Sequence, residues 1–384
     1  MSSYDVIIIG AGSVGLPTAL YLAKEKLKVL ALDFYPSVGQ GQNKCAIGGV
    51  RATHSDPAKI QTCMMSLEIF SNWREEYGDD IGFERGGYTF PAYTQTDAAN
   101  LQNLLKRQKA YGLNINWLDA TELRQVLPGI DPEGLLGGTY SPEDAHLSPI
   151  KAAAAFYHQA KRLGVKFRCG EKVVAITRKG DRVSGVETTQ GAYSAPVVVN
   201  AAGAQAREIG QMVGIELPVF PDCHEAGVTE PVTHFLDPLV VDIRKFQRSK
   251  NLYFYQNLEG HFLFSITPDP PIEGPDRRVC STFLPEAGQR LIRLFPKLQN
   301  IKVRRIWRGL YPMTPDGIPI VDEIGQAKGF WVAAGMCGQG FMLGPGLALN
   351  LANLILKGAP LLPEAVFKDF SFYRDYSGFS EALR

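Results

Sequence analysis

Four consecutive apolar residues near the start of the chain, Val6-Ile-Ile-Ile9, break directly into Gly10-Ala-Gly-Ser-Val-Gly15. An unbroken apolar run predicts a strand buried on both faces, as in a parallel sheet. Apolar positions then recur at helical spacing (Leu16, Ala19, Leu20, Ala23), with Pro17 in the first turn, where its missing N–H costs little. A second buried run, Val29-Leu-Ala-Leu-Asp33, ends on a carboxylate eighteen positions past Gly15. Strand, glycine turn, helix, strand and acid in that order predict a dinucleotide site. Gly10 allows the tight turn, Gly12 the approach of phosphate to backbone, and Gly15 close packing of helix on strand. The helix N-terminus supplies the positive field. Nicotinamide and flavin dinucleotides fit this unit equally well.

Beyond Asp33 the pattern loosens into residues 36–51, too rich in glycine and small polar residues for a helix or a paired strand. A helix follows, capped by Ser55 or Asp56, with Pro57 in its first turn, an apolar stripe through Ile60, Met64, Leu67 and Phe70, and Gly78 past its end. From about Phe83 to Tyr140, short strand-like runs and one polar helix over 95–111 read as an insertion. Ser148-Pro149 opens a helix through four alanines to Leu163, and Val165–Phe167 and Val197–Gly203 are strands. Residues 219–307 alternate apolar and polar positions, as in Leu252-Tyr-Phe-Tyr255, and predict a second sheet. The chain ends on a buried strand over 329–335, a glycine-rich turn over 336–345 and an apolar helix over 347–357.

The predicted class is α/β (α+β overall). A Rossmann-like cofactor domain on a parallel sheet, made of segments 1–82, 142–218 and 308–384, carries an inserted mixed or antiparallel substrate domain from 83–141 and 219–307. The 384 residues fit two domains. A net charge of +1 removes any bulk argument for nucleic acid or an anionic membrane, and points to a small ligand. Neither a basic leader nor an apolar stretch near the ~20 residues of a membrane span is read, so the expectation is a cytoplasmic protein. The six cysteines and six histidines show no metal-ligand spacing, so neither a metal nor a disulfide is expected.

Seven segments carry a family resemblance: residues 10–15, Gly48-Gly-Val-Arg51, Asp144-Ala-His-Leu-Ser-Pro149, Asn200-Ala-Ala-Gly-Ala204, His224-Glu-Ala-Gly-Val-Thr-Glu-Pro231, residues 307–316, and Ala333-Ala-Gly-Met-Cys-Gly-Gln-Gly-Phe-Met342. Over nearly the whole length they resemble the amino-acid oxidase family of flavoproteins, the group containing glycine oxidase, sarcosine oxidase and dye-linked L-proline dehydrogenase. The likeness is nearest to the β-subunit of the last, through Lys44-Cys45, Val50-Arg51, Glu75-Glu-Tyr-Gly78 and Gly340-Phe-Met342.

The resemblance implies FAD. It places the pyrophosphate on Gly10, Ala11, Gly12, Ser13, Val14 and Gly15 and the adenosine ribose by Asp33 and Phe34. Adenine falls by Val173 and further phosphate contacts on Ala202 and Gly203. Asn43, Lys44, Cys45, Gly49 and Val50 line the flavin, and Gly335, Gly338, Gln339, Gly340, Phe341 and Met342 cradle its ring and ribityl chain. Some relatives bind FAD through a cysteine where this chain has Gly309, which implies non-covalent FAD. Phe264 is the approximate match to an oxygen-activating lysine, which favours a dehydrogenase, since a cation there stabilises reduced oxygen.

For chemistry, the resemblance implies hydride transfer from the Cα of a small amino acid, of proline, sarcosine or glycine type, giving an imine. Arg51 is the expected carboxylate clamp, its fork suiting a carboxylate, with a local pairing to Asp56 as the plain alternative. Tyr311 shapes the pocket or is a core aromatic. Tyr253 and Tyr255 share one strand face and are expected in the pocket with Phe254 turned away. Met342 stands where some members place a second carboxylate-binding lysine. His224 and His261 read as structural or pocket-lining, Cys45 and Cys337 as inert thiols, and Arg304, Arg305 and Arg308 as a solvated face or subunit contact. Electrons leave to an acceptor or a partner subunit, with oligomerisation and membrane association through that partner left open. The alternatives are an oxygen-using oxidase and a non-catalytic FAD-binding subunit.

Overall fold

A computed structural model describes residues 2–377 and 381; Met1, 378–380 and 382–384, at the two ends of the assigned cofactor segments, lie outside the described residues. Val6–Ile9 lies in the interior of a six-stranded sheet whose order is Ile320–Glu323, Phe330–Ala334, Val197–Asn200, Val6–Ile9, Val29–Asp33, Lys166–Cys169. All neighbours are parallel except the first pair. Parallel strands need crossovers, and the faces those crossovers cover explain the continuous apolar runs. Ile8 and Ala31 face the helices Gly15–Lys24, Pro57–Tyr77, Pro149–Arg162 and Gly340–Lys357. Ile7, Leu30 and Leu32 face a four-stranded sheet that contains Val173–Lys179 and Arg182–Thr188.

The local stop and start signals act as the sequence predicts. The Asp56 carboxylate accepts the Lys59 N–H, Pro57 opens the helix, and Gly78 closes it in the left-handed conformation. Ser148 caps the alanine helix in the same way.

An eight-stranded sheet takes in the remaining strands, in the order Val303–Met313, Phe220–Pro231, His261–Pro268, Ser249–Gln256, Leu239–Asp242, Tyr88–Ala92, Gly137–Ser141, Asn116–Asp119. The two inserted stretches therefore share one sheet, joined by the parallel pairing of Leu239 with Tyr88. Strand Val303–Met313 runs unbroken through positions 307 and 308, where the sequence analysis set a boundary. On its outer face Phe254, Phe262 and Phe264 pack against the helix Phe283–Leu294. Each buried phenyl contributes roughly 2–3 kcal/mol.

Four expectations are corrected. Residues 36–51 hold a short 3₁₀ turn at Asn43–Cys45 and a two-residue strand, Gly49–Val50, paired with Ala145–His146. The helix Phe283–Leu294 interrupts the β-rich stretch, its apolar residues Phe283, Ala287, Leu291 and Leu294 recurring at helical spacing. The last helix begins at Gly340, not after Pro345. Its glycines serve packing rather than a turn: a Cβ on Gly344 would sit 2.1 Å from the Ser13 carbonyl, and one on Gly346 2.3 Å from that of Thr62. Finally, Gly340–Lys357 is long and apolar enough to cross a membrane, the one such helix among the described residues, but 61% of it is buried inside the protein.

Candidate active site

Where the glycine loop faces the eight-stranded sheet, a long cleft separates the two sheets. Gly10, Gly12, Ser13 and Val14 line one wall, while Ala11 and Gly15 lie behind them. The Ala11 N–H donates to Asp33 Oδ2 at 2.8 Å, and the Tyr35 N–H donates to Oδ1 at 2.9 Å. Asp33 thus fixes the glycine turn as well as lining the cleft, and burial pushes its carboxyl above the ordinary value. Among the described residues, chain neighbours aside, no atom lies within 4 Å of a Cβ placed on Gly12 or Gly203, so the backbone there is open to a ligand. Phe34, Val173, Ala202 and Gly203 continue the wall at this end.

At the other end, Asn43, Cys45 and Gly49 meet Gly338, Gly340, Phe341 and Met342 across the cleft. Asn43 is held by a 2.8 Å bond from its amide to the Pro149 carbonyl. Lys44, Val50, Gly335 and Gln339 do not line it. Lys44 reaches outward to Gln40, Val50 is core, and Gly335 lies against Thr314. The Gln339 side-chain oxygen is buried with no hydrogen-bond partner among the described residues.

The eight-stranded sheet presents Tyr253, Tyr311, His224 and Ser265 to this end. The Tyr253 and Tyr311 hydroxyls are 2.5 Å apart. The Tyr311 ring stacks on His224 at 3.6 Å with an interplanar angle of 13°, and His224 Nε2 lies 3.2 Å from Asp222 Oδ2. His224 Nδ1 is buried without a partner among the described residues. Burial, first of all, pushes both phenols up, so they are neutral donors at physiological pH.

Tyr255 shares the face of Tyr253 but does not reach the cleft. Its hydroxyl donates to the Ile47 carbonyl at 2.5 Å and its ring stacks on His146, so it braces the loop that lines the cleft. Phe254 faces the outer core, as alternation requires. Alternation also corrects the reading of the third strand: Phe264 packs outward on Phe283, and the residue facing the cleft is Ser265.

Arg51 does not line the cleft either. Its guanidinium donates to the Thr53 carbonyl and lies 3.3 Å from His54 Nδ1, with its carbon 6.0 Å from the centre of the Tyr88 ring. Asp56 is not its partner, being occupied as a helix cap; the nearby acid is Asp144, which accepts the Ala52 N–H at 2.8 Å and whose carboxyl burial pushes up to about 7.

The remaining candidates sort by contact. His261 binds the Thr229 carbonyl and Cys337 packs by Thr314, both structural. Arg308 is buried in an ion pair with Glu225 at 3.0 Å, whereas Arg304 and Arg305 are exposed. Sequence reasoning missed Tyr88, Ser265, Gln42, and the pair Glu171 and Lys172 beside Val173, all at the cleft. A strict period-2 count would have found Ser265; nothing local marks Tyr88.

Residues 5–354 match the family described as FAD dependent oxidoreductase (DAO). The chain belongs to that family. Membership makes FAD its cofactor and redox chemistry its activity, in line with the resemblance read from the motifs. The chain is 28% identical to glycine oxidase of Geobacillus kaustophilus (strain HTA426) over 360 residues, 92% of this chain and 93% of that protein. It is 26% identical to sarcosine oxidase subunit beta of Rhizobium meliloti (strain 1021) over 385 residues, 97% and 89% of the two chains. The crystal structure of L-proline dehydrogenase from P. horikoshii superposes with a TM-score of 0.92 at 28% identity, covering 99% of each chain.

Proposed function

We propose that this protein oxidises a small α-amino acid of the glycine, sarcosine or proline type at its Cα–N bond, giving an imine and passing electrons to an acceptor or partner subunit. The observation that carries the reading is the facing of two sheets: glycine loops on one side of the cleft, and Tyr253, Tyr311, His224 and Ser265 on the other. The names of the relatives above support the substrate class.

Bound FAD supplies the two-electron acceptor. The backbone of Gly10, Gly12 and Ser13 and the N-terminus of helix Gly15–Lys24 would hold its pyrophosphate, Asp33 its ribose and Val173 its adenine. Cys45, Gly49 and Gly338–Met342 would flank the ring. In this division the cofactor belongs to segments 1–82, 142–218 and 308–384, and the substrate wall to the inserted sheet. Stacking on Tyr311 and the contact with Asp222 hold the His224 ring still, leaving Nδ1 to take a hydrogen bond or a proton from the substrate amine. Tyr253, Tyr311, His224 and Ser265 present no lysine or arginine to this end of the cleft, which favours an acceptor other than oxygen.

The test is anaerobic titration of the yellow protein with twenty amino acids and their N-methyl forms, followed by flavin bleaching. Bleaching by one small amino acid is expected, with dye reduction far faster than peroxide formation in air. Peroxide at a comparable rate makes the protein an oxidase; no bleaching by any compound makes it a flavin-binding subunit without this activity.

A further inference from the structure

Tyr88 is assigned no role by the sequence motifs, yet it lines the cleft and is only 4% exposed. Its hydroxyl lies 2.7 Å from the position of a Cβ on Gly49, itself a cleft residue, and has no hydrogen-bond partner among the described residues. A phenol hydroxyl that opens onto the cleft and is held by no group among the described residues is available to a ligand there. Its neighbours sharpen the chemistry. Tyr253 and Tyr311 stand at the same end of the cleft with their hydroxyls bonded to each other, so their mutual bond uses one of the two protons. The Arg51 guanidinium lies behind the Tyr88 ring, 6.0 Å from its centre, and adds positive potential on that side without reaching the cleft. A neutral donor backed by a cation suits an anionic oxygen.

Resting on the amino-acid reading above, we propose that the Tyr88 hydroxyl receives the substrate carboxylate, the position that sequence reasoning gave to Arg51. Arg51 then acts through Tyr88 by charge and by holding the ring. Burial pushes the Tyr88 phenol above its ordinary range, so it keeps its proton across the neutral range. Substrates without a carboxylate lose this contact and bind through the amine alone.

The experiment compares wild-type holoenzyme with Tyr88→Phe, which removes one oxygen and keeps the ring over Arg51. Two unreactive or poorly reactive probes are titrated against the flavin absorbance: tetrahydrofuran-2-carboxylate, which keeps the carboxylate and replaces the amine by an ether, and pyrrolidine, which keeps the amine alone. The expected result is a Kd for the carboxylate probe about tenfold higher in the variant, with pyrrolidine within twofold. A carboxylate Kd within twofold of wild type overturns the assignment. So does equal weakening of both probes, which marks a packing role, or a shifted flavin spectrum with unchanged carboxylate binding, which places the hydroxyl on the cofactor. Failure of the wild type itself to bind the carboxylate or to be reduced by any amino acid instead overturns the functional reading on which the assignment rests.

Discussion

The Tyr253 and Tyr311 hydroxyls meet at 2.5 Å although two strands, Phe220–Pro231 and His261–Pro268, lie between theirs in the sheet. Strands are spaced about 4.8 Å apart, so the two side chains must lean toward each other over the sheet face. They form a roof across His224 and Ser265, on the two strands between. The pair holds the geometry of this wall of the cleft, and its members should not act independently.

Tyr253→Phe and Tyr311→Phe should each lower kcat/KM for flavin reduction about tenfold, the loss of one hydrogen bond to a polar partner. The double variant should be only slightly worse than either single one, because each single change already breaks the pair. A stopped-flow double-mutant cycle decides this; strictly multiplicative losses would show two separate contacts.

Gly338 has φ +80°, and a Cβ there would sit 2.1 Å from Cε2 of Tyr311. Gly338→Ala should displace Tyr311 from His224 and lower the flavin content of the purified protein to below about half. Gly191→Ala, at a position with open space around it, serves as the control and should leave flavin content as it is. The ratio of flavin to protein absorbance measures both.

His146 is buried against Tyr255, and that burial, with a smaller push from His234, lowers its pKa from 6.5 to about 4. A depressed histidine contributes stability that is present above the unfolded value and lost as pH falls through the folded one, so the loss lies between pH 6.5 and 4. Asp144, raised to about 7, has the opposite sign: its contribution is complete below the unfolded value of 3.8 and is lost as pH rises to about 7. Both act in one window, so the signature is a difference. His146→Phe, which keeps the ring stack, should lose less stability than wild type on acidification from pH 6.5 to 4, by up to about 3 kcal/mol. Urea unfolding at several pH values reads it, and parallel curves for the two proteins would refute it.

Gly309 offers no side chain to the flavin, and the neighbouring Cys45 thiol is pushed up by burial, so it stays protonated and a poor nucleophile. Acid precipitation should therefore release the flavin into the supernatant. A yellow pellet would mean a covalent bond.

What could be read from the sequence was local. Val6–Ile9, Gly15–Lys24 and Val29–Asp33 follow from one glycine turn between two apolar runs, and the helix starting at Pro57 from a cap and a proline side by side. What could not be read depends on partners distant in the chain. Tyr88 reaches the cleft because its strand pairs with Leu239, some 150 positions on, and no signal around residue 88 encodes that pairing. Tyr255 obeys the same alternation as Tyr253 yet serves as a brace, because Ile47 and His146 are in its way. Arg51 is polar and beside the flavin loop, but the Thr53 carbonyl and His54 turn it inward. The glycines of 336–345 read as a turn because loose loops and tightly packed helices ask for the same residue.

Gly344 lies against Ser13, so the opening glycine loop is completed by a helix from the far end of the chain. The N-terminal strand, loop and helix therefore keep an apolar face uncovered until a segment more than three hundred residues later has been made. Contacts of such long sequence separation form slowly, and a chain released before residue 340 has no lid for its own first turn. The glycine turn and the helix that closes over it are therefore joined late in folding, as one long-range contact rather than as a local unit.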